Sequence, residues 1–335
     1  MGRTVTIATL ARELGLSQSA VSKALNDYPD IGPDTKKLVL SKAEEMGYSP
    51  NMMARNLAKK TSNFIGVVIR DVSSIYGEMF KSLNTVSWRH GLNLILYDTG
   101  NNLDTERRCI QNLIDTMAMG IIVAPVSEDV AQIRRMTRGR VPVVYLGGKV
   151  RVDSVNYVCT DSVSGTEIAM RHLIGLGHRK IVMLCDHKMS DSRSRKISTY
   201  RELMAEVGEE GRILHSDGSA GDLTEAGYRL CRQMIDSGER FTAVFAVKDM
   251  LAIGALGALK DAGIRVPEEV SVVGYDGIDA AGLPLIGLTT VAQPRQEMAE
   301  AIMDILLRHA EEPSLAPEHF LAKPELMLRS STRAR

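Results

Sequence analysis

Long hydrophobic runs are missing from this chain. No apolar stretch in its 335 residues approaches the roughly 20 that a membrane-spanning helix needs, so a membrane partner is not expected. No apolar segment of the secretory kind follows Met1, which points to a cytoplasmic protein. Cysteine is sparse and scattered. Cys109, Cys159, Cys185 and Cys231 form no C-x-x-C pair and show no metal-ligand spacing. Neither a metal nor a disulfide framework is expected, and three of the four sit in or beside apolar runs, as reduced core cysteines do. An excess of one charge is also absent, with 41 basic against 41 acidic side chains. The catalytic signatures are missing too: no Walker loop, no G-x-S-x-G elbow, no G-x-G-x-x-G after a strand, no H-E-x-x-H. No cofactor and no enzyme activity are expected.

What is present is a soluble-type composition, 44% hydrophobic and 24% charged, in a chain long enough for two or three domains. The charge balance is uneven. Through Lys60 there are nine Lys/Arg against six Asp/Glu, a mildly basic end suited to phosphate contact.

That end holds the most informative stretch, TIATLARELGLSQSAVSKALN, from Thr6 to Asn26. Ile7, Leu10, Ala11 and Leu14 recur at helical spacing, and Gly15 then allows a left-handed turn. Ser17 is a good N-cap for a second helix. In it Val21 and Leu25 share one face, leaving Gln18, Ser19, Ser22, Lys23 and Asn26 on the other. One reading is a plain helical hairpin with a solvated face. The other is a helix-turn-helix that offers those side chains to a major groove. Pro33 and Asp34 suit the start of a third helix, with an apolar stripe of Leu38, Val39, Ala43 and Met46 and a stop at Gly47. After the Tyr48-Ser49-Pro50 break, NMMARNLAKK reads as a short amphipathic helix. It is a linker, or else a hinge that orders on DNA and drives Leu57 between minor-groove base steps.

From Phe64 short β-branched runs alternate with helical patterns: FIGVVI, NLILY, GIIVAPV, VPVVYL, IVMLC, AVFAV and SVVGYD. This argues an α/β protein with parallel sheets, of about eight to ten strands in two sheets. Ligands of open α/β sheets bind beyond the carboxyl ends of the strands. The residues standing there include Asp71, Ser73, Tyr76, Asp98, Pro125, Asp161, Arg193, Arg195, Lys196, Lys248, Asp249, Asp276 and Gln293.

The segments ARELGLSQSAVSKALN, MGYSPN and ARNLA, with GYDGID and LTTVAQP further on, resemble the lactose-repressor/galactose-repressor (LacI/GalR) family of bacterial transcription factors, and the similarity runs through the rest of the chain. The resemblance implies a multidomain protein: a small all-α helix-turn-helix head plus an α/β two-lobed, periplasmic-binding-protein-like core. The expected head is 1–49, the hinge helix 50–61 and the core 62–335. Within the core the expected N-lobe is about 62–160 and 293–322, and the C-lobe about 161–290 and 323–335.

On that resemblance Gln18 and Ser19 read bases, Lys23 stands where Arg is usual, and Leu57 is the wedge. Thr6, Ser17, Ser22, Asn26, Tyr48, Asn51, Ala54 and Arg55 complete the expected DNA-contacting set. The expected effector set is Ser73, Tyr76, Pro125, Ser164, Arg195, Lys196, Lys248, Asp276 and Gln293. The register of the pocket cation stays open among Arg193, Arg195 and Lys196. Lys248 departs from the family's Asn or Ser. It either favours an anionic effector, a sugar acid or sugar phosphate, or pairs with Asp249 or Asp276 beside a neutral sugar. Aromatics are only 4% of the chain. Tyr76, Trp88, Tyr145, Tyr200 and Tyr275 are the candidates for stacking on a sugar, with Trp88 expected in the core. The implied function is a repressor of carbohydrate genes, a homodimer on a near-palindromic operator, nucleoid-associated when bound. The alternative is a sugar-binding transport protein.

Overall fold

The structure, a computed structural model, describes residues 5–48, 62–73, 75–187, 190–220 and 222–335. The chain separates into two compact units, Met1–Ser62 and Asn63–Arg335.

The first unit carries three helices, α1 (Ile7–Leu14), α2 (Gln18–Leu25) and α3 (Pro33–Glu45). Gly15 ends α1 at φ 63°, the left-handed conformation that only glycine adopts cheaply. The Ser17 hydroxyl accepts the Ala20 N–H at 3.1 Å and starts α2. Leu10, Ala11, Val21, Ala24, Val39 and Ala43 form the buried centre. Leu38 does not join it and is 54% exposed. One helical step from Val39 rotates it out of the stripe.

The second unit holds two six-stranded sheets. The first has the order β11-β5-β4-β3-β1-β2. Its strands are β1 (Phe64–Ile69), β2 (Asn93–Asp98), β3 (Gly120–Val123), β4 (Val143–Leu146), β5 (Asn156–Thr160) and β11 (His319–Ala322). The second has the order β12-β10-β9-β8-β6-β7. Its strands are β6 (Ile181–Cys185), β7 (Arg212–His215), β8 (Ala243–Ala246), β9 (Ser271–Asp276), β10 (Thr289–Ala292) and β12 (Glu325–Met327). Every pairing is parallel except β10 with β12. The seven runs read from the sequence are all strands. The extra ones are short or lie at an edge, such as β7 and β12, where too little apolar surface is buried to mark them.

Helices cover the sheets: α4 (Ile75–Arg89), α5 (Leu103–Asp115) and α6 (Val130–Thr137) precede α7 (Ser162–Gly175). Then come α8 (Asp191–Glu206), α9 (Leu223–Asp236), α10 (Asp249–Asp261) and α11 (Arg295–Glu311). The chain passes from one lobe to the other after β5, after β10 and between β11 and β12. Helices α9 and α10 meet backbone to backbone. A Cβ on Gly227 would lie 2.1 Å from the Leu251 carbonyl oxygen, and one on Gly254 2.0 Å from that of Thr224. This packing holds the first turns of both helices at the same end of the second sheet.

Trp88 is not a core residue: it is 70% exposed. Met79, Leu83 and Val86 form the buried side of α4, and two steps beyond Val86 turn a side chain by about 200°. All four cysteines are free and buried.

Candidate functional site

In the head, Gln18 and Ser19 are exposed in the first turn of α2, where a groove-reading helix makes its base contacts. Lys23 is engaged with Asp30. Asn26 turns back on its own helix, its Nδ2 donating to the Ser22 carbonyl at 2.7 Å. Thr6 caps α1 by accepting the Thr9 N–H at 3.3 Å, and Tyr48 packs against the head's centre. Asn51, Ala54, Arg55 and Leu57 lie outside the described residues.

In the core, the strand ends of the two lobes enclose a cavity of about 620 Å³, within the range of small-molecule sites. Thr160, ending β5, donates its hydroxyl to Gln293 Oε1 at 2.8 Å, and Gln293 Nε2 donates to Asp276 Oδ1 at 2.8 Å. Thr160 belongs to one sheet and Asp276 to the other, so the relay ties the lobes at the cavity floor. Asp276 has a φ of 128°. A side chain held there costs about 1–3 kcal/mol, the kind of strain that collects at binding sites.

Below Asp276 lies Lys196. Its Nζ stands 3.0 Å from the Tyr275 ring centroid and donates to the Val247 carbonyl at 3.2 Å. Burial pushes Asp276 up and Lys196 down from their ordinary values, and the opposite charge of each partner resists the shift.

One wall is built on Asp186, the first residue after β6. Its carboxylate takes Arg193 on one oxygen and Lys248 Nζ, at 3.1 Å, on the other. Arg193 also donates to the Asp186 carbonyl at 2.7 Å. Lys248 thus makes its ion pair with Asp186, and Asp276 acts on it at longer range. Asp249 is buried and structural, accepting from the Ile278 N–H at 2.9 Å and the Thr290 hydroxyl at 2.5 Å. From the other lobe come Arg70, which donates to the Tyr76 hydroxyl and lies 5.0 Å over its ring, and Ser73. Across the cleft the Ser192 N–H donates to the Gly148 carbonyl at 3.3 Å.

Six of the nine expected effector residues line this cavity: Ser73, Tyr76, Lys196, Lys248, Asp276 and Gln293. Three do not. Arg195 points to solvent and pairs with Asp191 at 2.8 Å. Arg193 and Lys196 are three apart on the inward side of α8, and Arg195, two steps from Arg193, is turned about 200° away. The cation register thus has two inward members, Arg193 and Lys196. Ser164 sits in the first turn of α7, its N–H taken by the Asp161 cap at 3.3 Å, and Pro125 is buried outside the cavity lining. Sequence reasoning missed Arg70, Lys149 and Asp186. Arg70 and Asp186 each stand immediately after a strand, β1 and β6, and that position was the available signal. No cluster of metal-ligating side chains occurs among the described residues, and no helix there is long and apolar enough to cross a membrane.

Residues 170–332 match the family of periplasmic binding protein-like domains. The chain is 32% identical over 314 residues to the HTH-type transcriptional regulator GalS of Salmonella typhimurium, covering 91% of this chain and 90% of that protein. It is 31% identical over 332 residues to GalR of Escherichia coli, covering 97% and 95%. In fold it is similar to the Lac repressor dimer bound to operator and the anti-inducer ONPF, with a TM-score of 0.88, 23% identity, and coverage of 99% of this chain and 100% of that one. The relatives are transcriptional regulators rather than enzymes. With that identity across nearly its whole length, the chain belongs to the LacI/GalR family of helix-turn-helix DNA-binding transcriptional regulators.

Proposed function

We propose that this regulator is a repressor of carbohydrate-metabolism genes, and that a small sugar-like molecule held in the core cleft sets its affinity for operator DNA. The observation that carries the reading is the Thr160–Gln293–Asp276 relay, which joins both lobes at the floor of the cavity. A ligand bonded to that relay touches both lobes at once. Its binding energy therefore depends on their relative orientation, which is what coupling to a second site requires.

In this reading residues 1–49 read the DNA, 50–61 form the hinge, and 62–335 bind the effector and dimerise, with N- and C-lobes divided near 160, 290 and 322. Gln18 and Ser19 make the base contacts, Lys23 and Arg55 contribute charge, and Leu57 is the minor-groove wedge. Two copies act together in the cytoplasm on a near-palindromic site, because two-fold symmetry in a protein demands it in the operator. Trp88, Leu283, Leu285 and Leu328 support a homodimer: all four are large apolar side chains standing in solvent on the core unit.

The test is selection of operator fragments from a random duplex library by the full chain, followed by mobility shifts with and without sugars. Enrichment of an inverted repeat, with sugar-dependent affinity, supports the reading. No enrichment over bulk DNA overturns it.

A further inference from the structure

Three cations converge on the cavity wall around Asp186. Arg193 and Lys248 share the one Asp186 carboxylate. Arg70 reaches the same cavity from the opposite lobe and spends its Nη2 on a neutral partner, the Tyr76 hydroxyl. The other acids of the cavity are engaged elsewhere. Asp71 accepts from the Ser73 N–H and hydroxyl at 2.8 and 2.7 Å, and Asp222 caps α9 by accepting the Glu225 N–H at 2.8 Å. Asp276 takes the Gln293 amide and faces Lys196.

Arg70 and Arg193 each keep a buried Nε–H with no hydrogen-bond partner among the described residues, a deficit that native interiors seldom tolerate. Lys248 leaves 35% of its side chain open at this wall. The three cations also feel one another. Burial first, then the charges of Arg70 and Arg193, hold Lys248 below its ordinary value, while Asp276 and Tyr76 pull it back up. Burial likewise lowers Arg193 to about 10, and Arg70 adds to the shift.

We infer that the effector is a polyhydroxylated molecule carrying one anionic group, a carboxylate or a phosphate, which Arg70, Arg193 and Lys248 hold while its hydroxyls meet the Thr160–Gln293–Asp276 relay. The inference rests on the proposal that the cleft holds a sugar-like effector, and it names the chemical class. Asp186 is the one carboxylate in ion-pair contact with Arg193 and Lys248, while Asp276 acts on Lys248, and Glu106 on Arg70, at longer range. Guanidinium forks and an ammonium give such a group short, charge-assisted bonds that a neutral hydroxyl cannot match. Asp186 serves as the internal counter-ion of Arg193 and Lys248.

The test is calorimetric titration of the full chain at constant ionic strength with matched probes: glucose, gluconate and glucose 6-phosphate, then galactose, galactonate and galactose 6-phosphate. Inorganic phosphate is titrated alongside by thermal shift. The anionic member of a set should bind about tenfold or more tightly than its neutral parent, the scale of a charged hydrogen bond. A best-binding aldonate identifies a sugar acid, and a best-binding ester a sugar phosphate. Lys248→Gln and, separately, Arg70→Gln should each remove about tenfold of the anion's affinity, with Lys248→Arg restoring it. Far-ultraviolet dichroism of each variant confirms folding.

Neutral parents binding as tightly as their anions would overturn the inference, and if they also shift operator affinity, the effector proposal survives without it. Should no sugar of the panel bind, phosphate decides. Saturable stabilisation that Lys248→Gln and Arg70→Gln weaken supports the anion site, and its absence overturns it. Failure of the underlying proposal reads out separately, as the absence of any operator preference.

Discussion

Thr160 and Gln293 lie 133 positions apart in the chain and meet at 2.8 Å on the cavity floor, one at the end of a strand in the first sheet, the other just past a strand in the second. Both occupy points where the chain changes lobes. The bond between them thus lies at the lobe crossovers and lines the cavity.

Gln293→Leu removes an acceptor for Thr160 and a donor for Asp276 together. Leaving such groups unpaired costs about 1–3 kcal/mol. The urea midpoint of the core should fall accordingly, with little change in the slope of the transition. Thr160→Val should cost less, because Gln293 keeps its bond to Asp276. Equal losses for the two variants would contradict the relay.

Asp276 and Lys196 predict opposite pH slopes when separated. In Asp276→Asn, Lys196 loses its counter-charge, so burial depresses it further. A depressed group contributes stability that is lost as pH falls through its folded value, so this variant should weaken, relative to wild type, as pH drops from 8 to 6. In Lys196→Met the Asp276 carboxyl is raised further. A raised group contributes stability that is lost as pH rises through its folded value, so this variant should weaken in the other direction. Melting temperatures across that pH range check the pair, and parallel curves would count against the coupling.

Gly148 sits where the lobes touch. A Cβ there would lie 2.7 Å from the Ser192 Cβ, although Ser192 N–H and Gly148 carbonyl are bonded across the same gap. Gly148→Ala should therefore penalise the closed cleft by about 1–3 kcal/mol, the cost of overpacking. Effector affinity should drop by the matching factor, read by calorimetry, while Gly175→Ala, which meets open space, should leave it unchanged.

The head offers a fourth test. Lys23 is held by Asp30 in an exposed ion pair, a weak interaction that DNA phosphates or base edges can replace. Asp30→Ala removes both the competitor and a negative charge beside Lys23. Operator affinity should rise, by mobility shift at fixed salt. Gln18→Ala should instead change which bases are preferred in a selection experiment. A uniform loss across all sequences would make Gln18 a phosphate contact.

Much of this protein was legible along the chain because it is encoded locally. The Gly15 turn, the Ser17 cap and the seven β-branched runs each depend on neighbours a few positions away, and each stands where its local chemistry puts it. The position just past a strand likewise marked Ser73, Lys248 and Asp276 as cavity residues. What the linear pattern left open depended on direction and on distant partners. Trp88 carries every local mark of a core residue, yet helix rotation faces it to solvent. Arg193, Arg195 and Lys196 are near neighbours in sequence, and only the packing of α8 against the second sheet turns two inward and one out. Lys248 had two acids close by in the chain or the motif, but it bonds to Asp186, which parallel pairing through β6 and β8 brings alongside. Local sequence chooses turns, caps and strands because those energies are short-range. The choice of which charges meet belongs to the tertiary fold, because Coulomb interactions and burial act between groups that the chain itself keeps far apart.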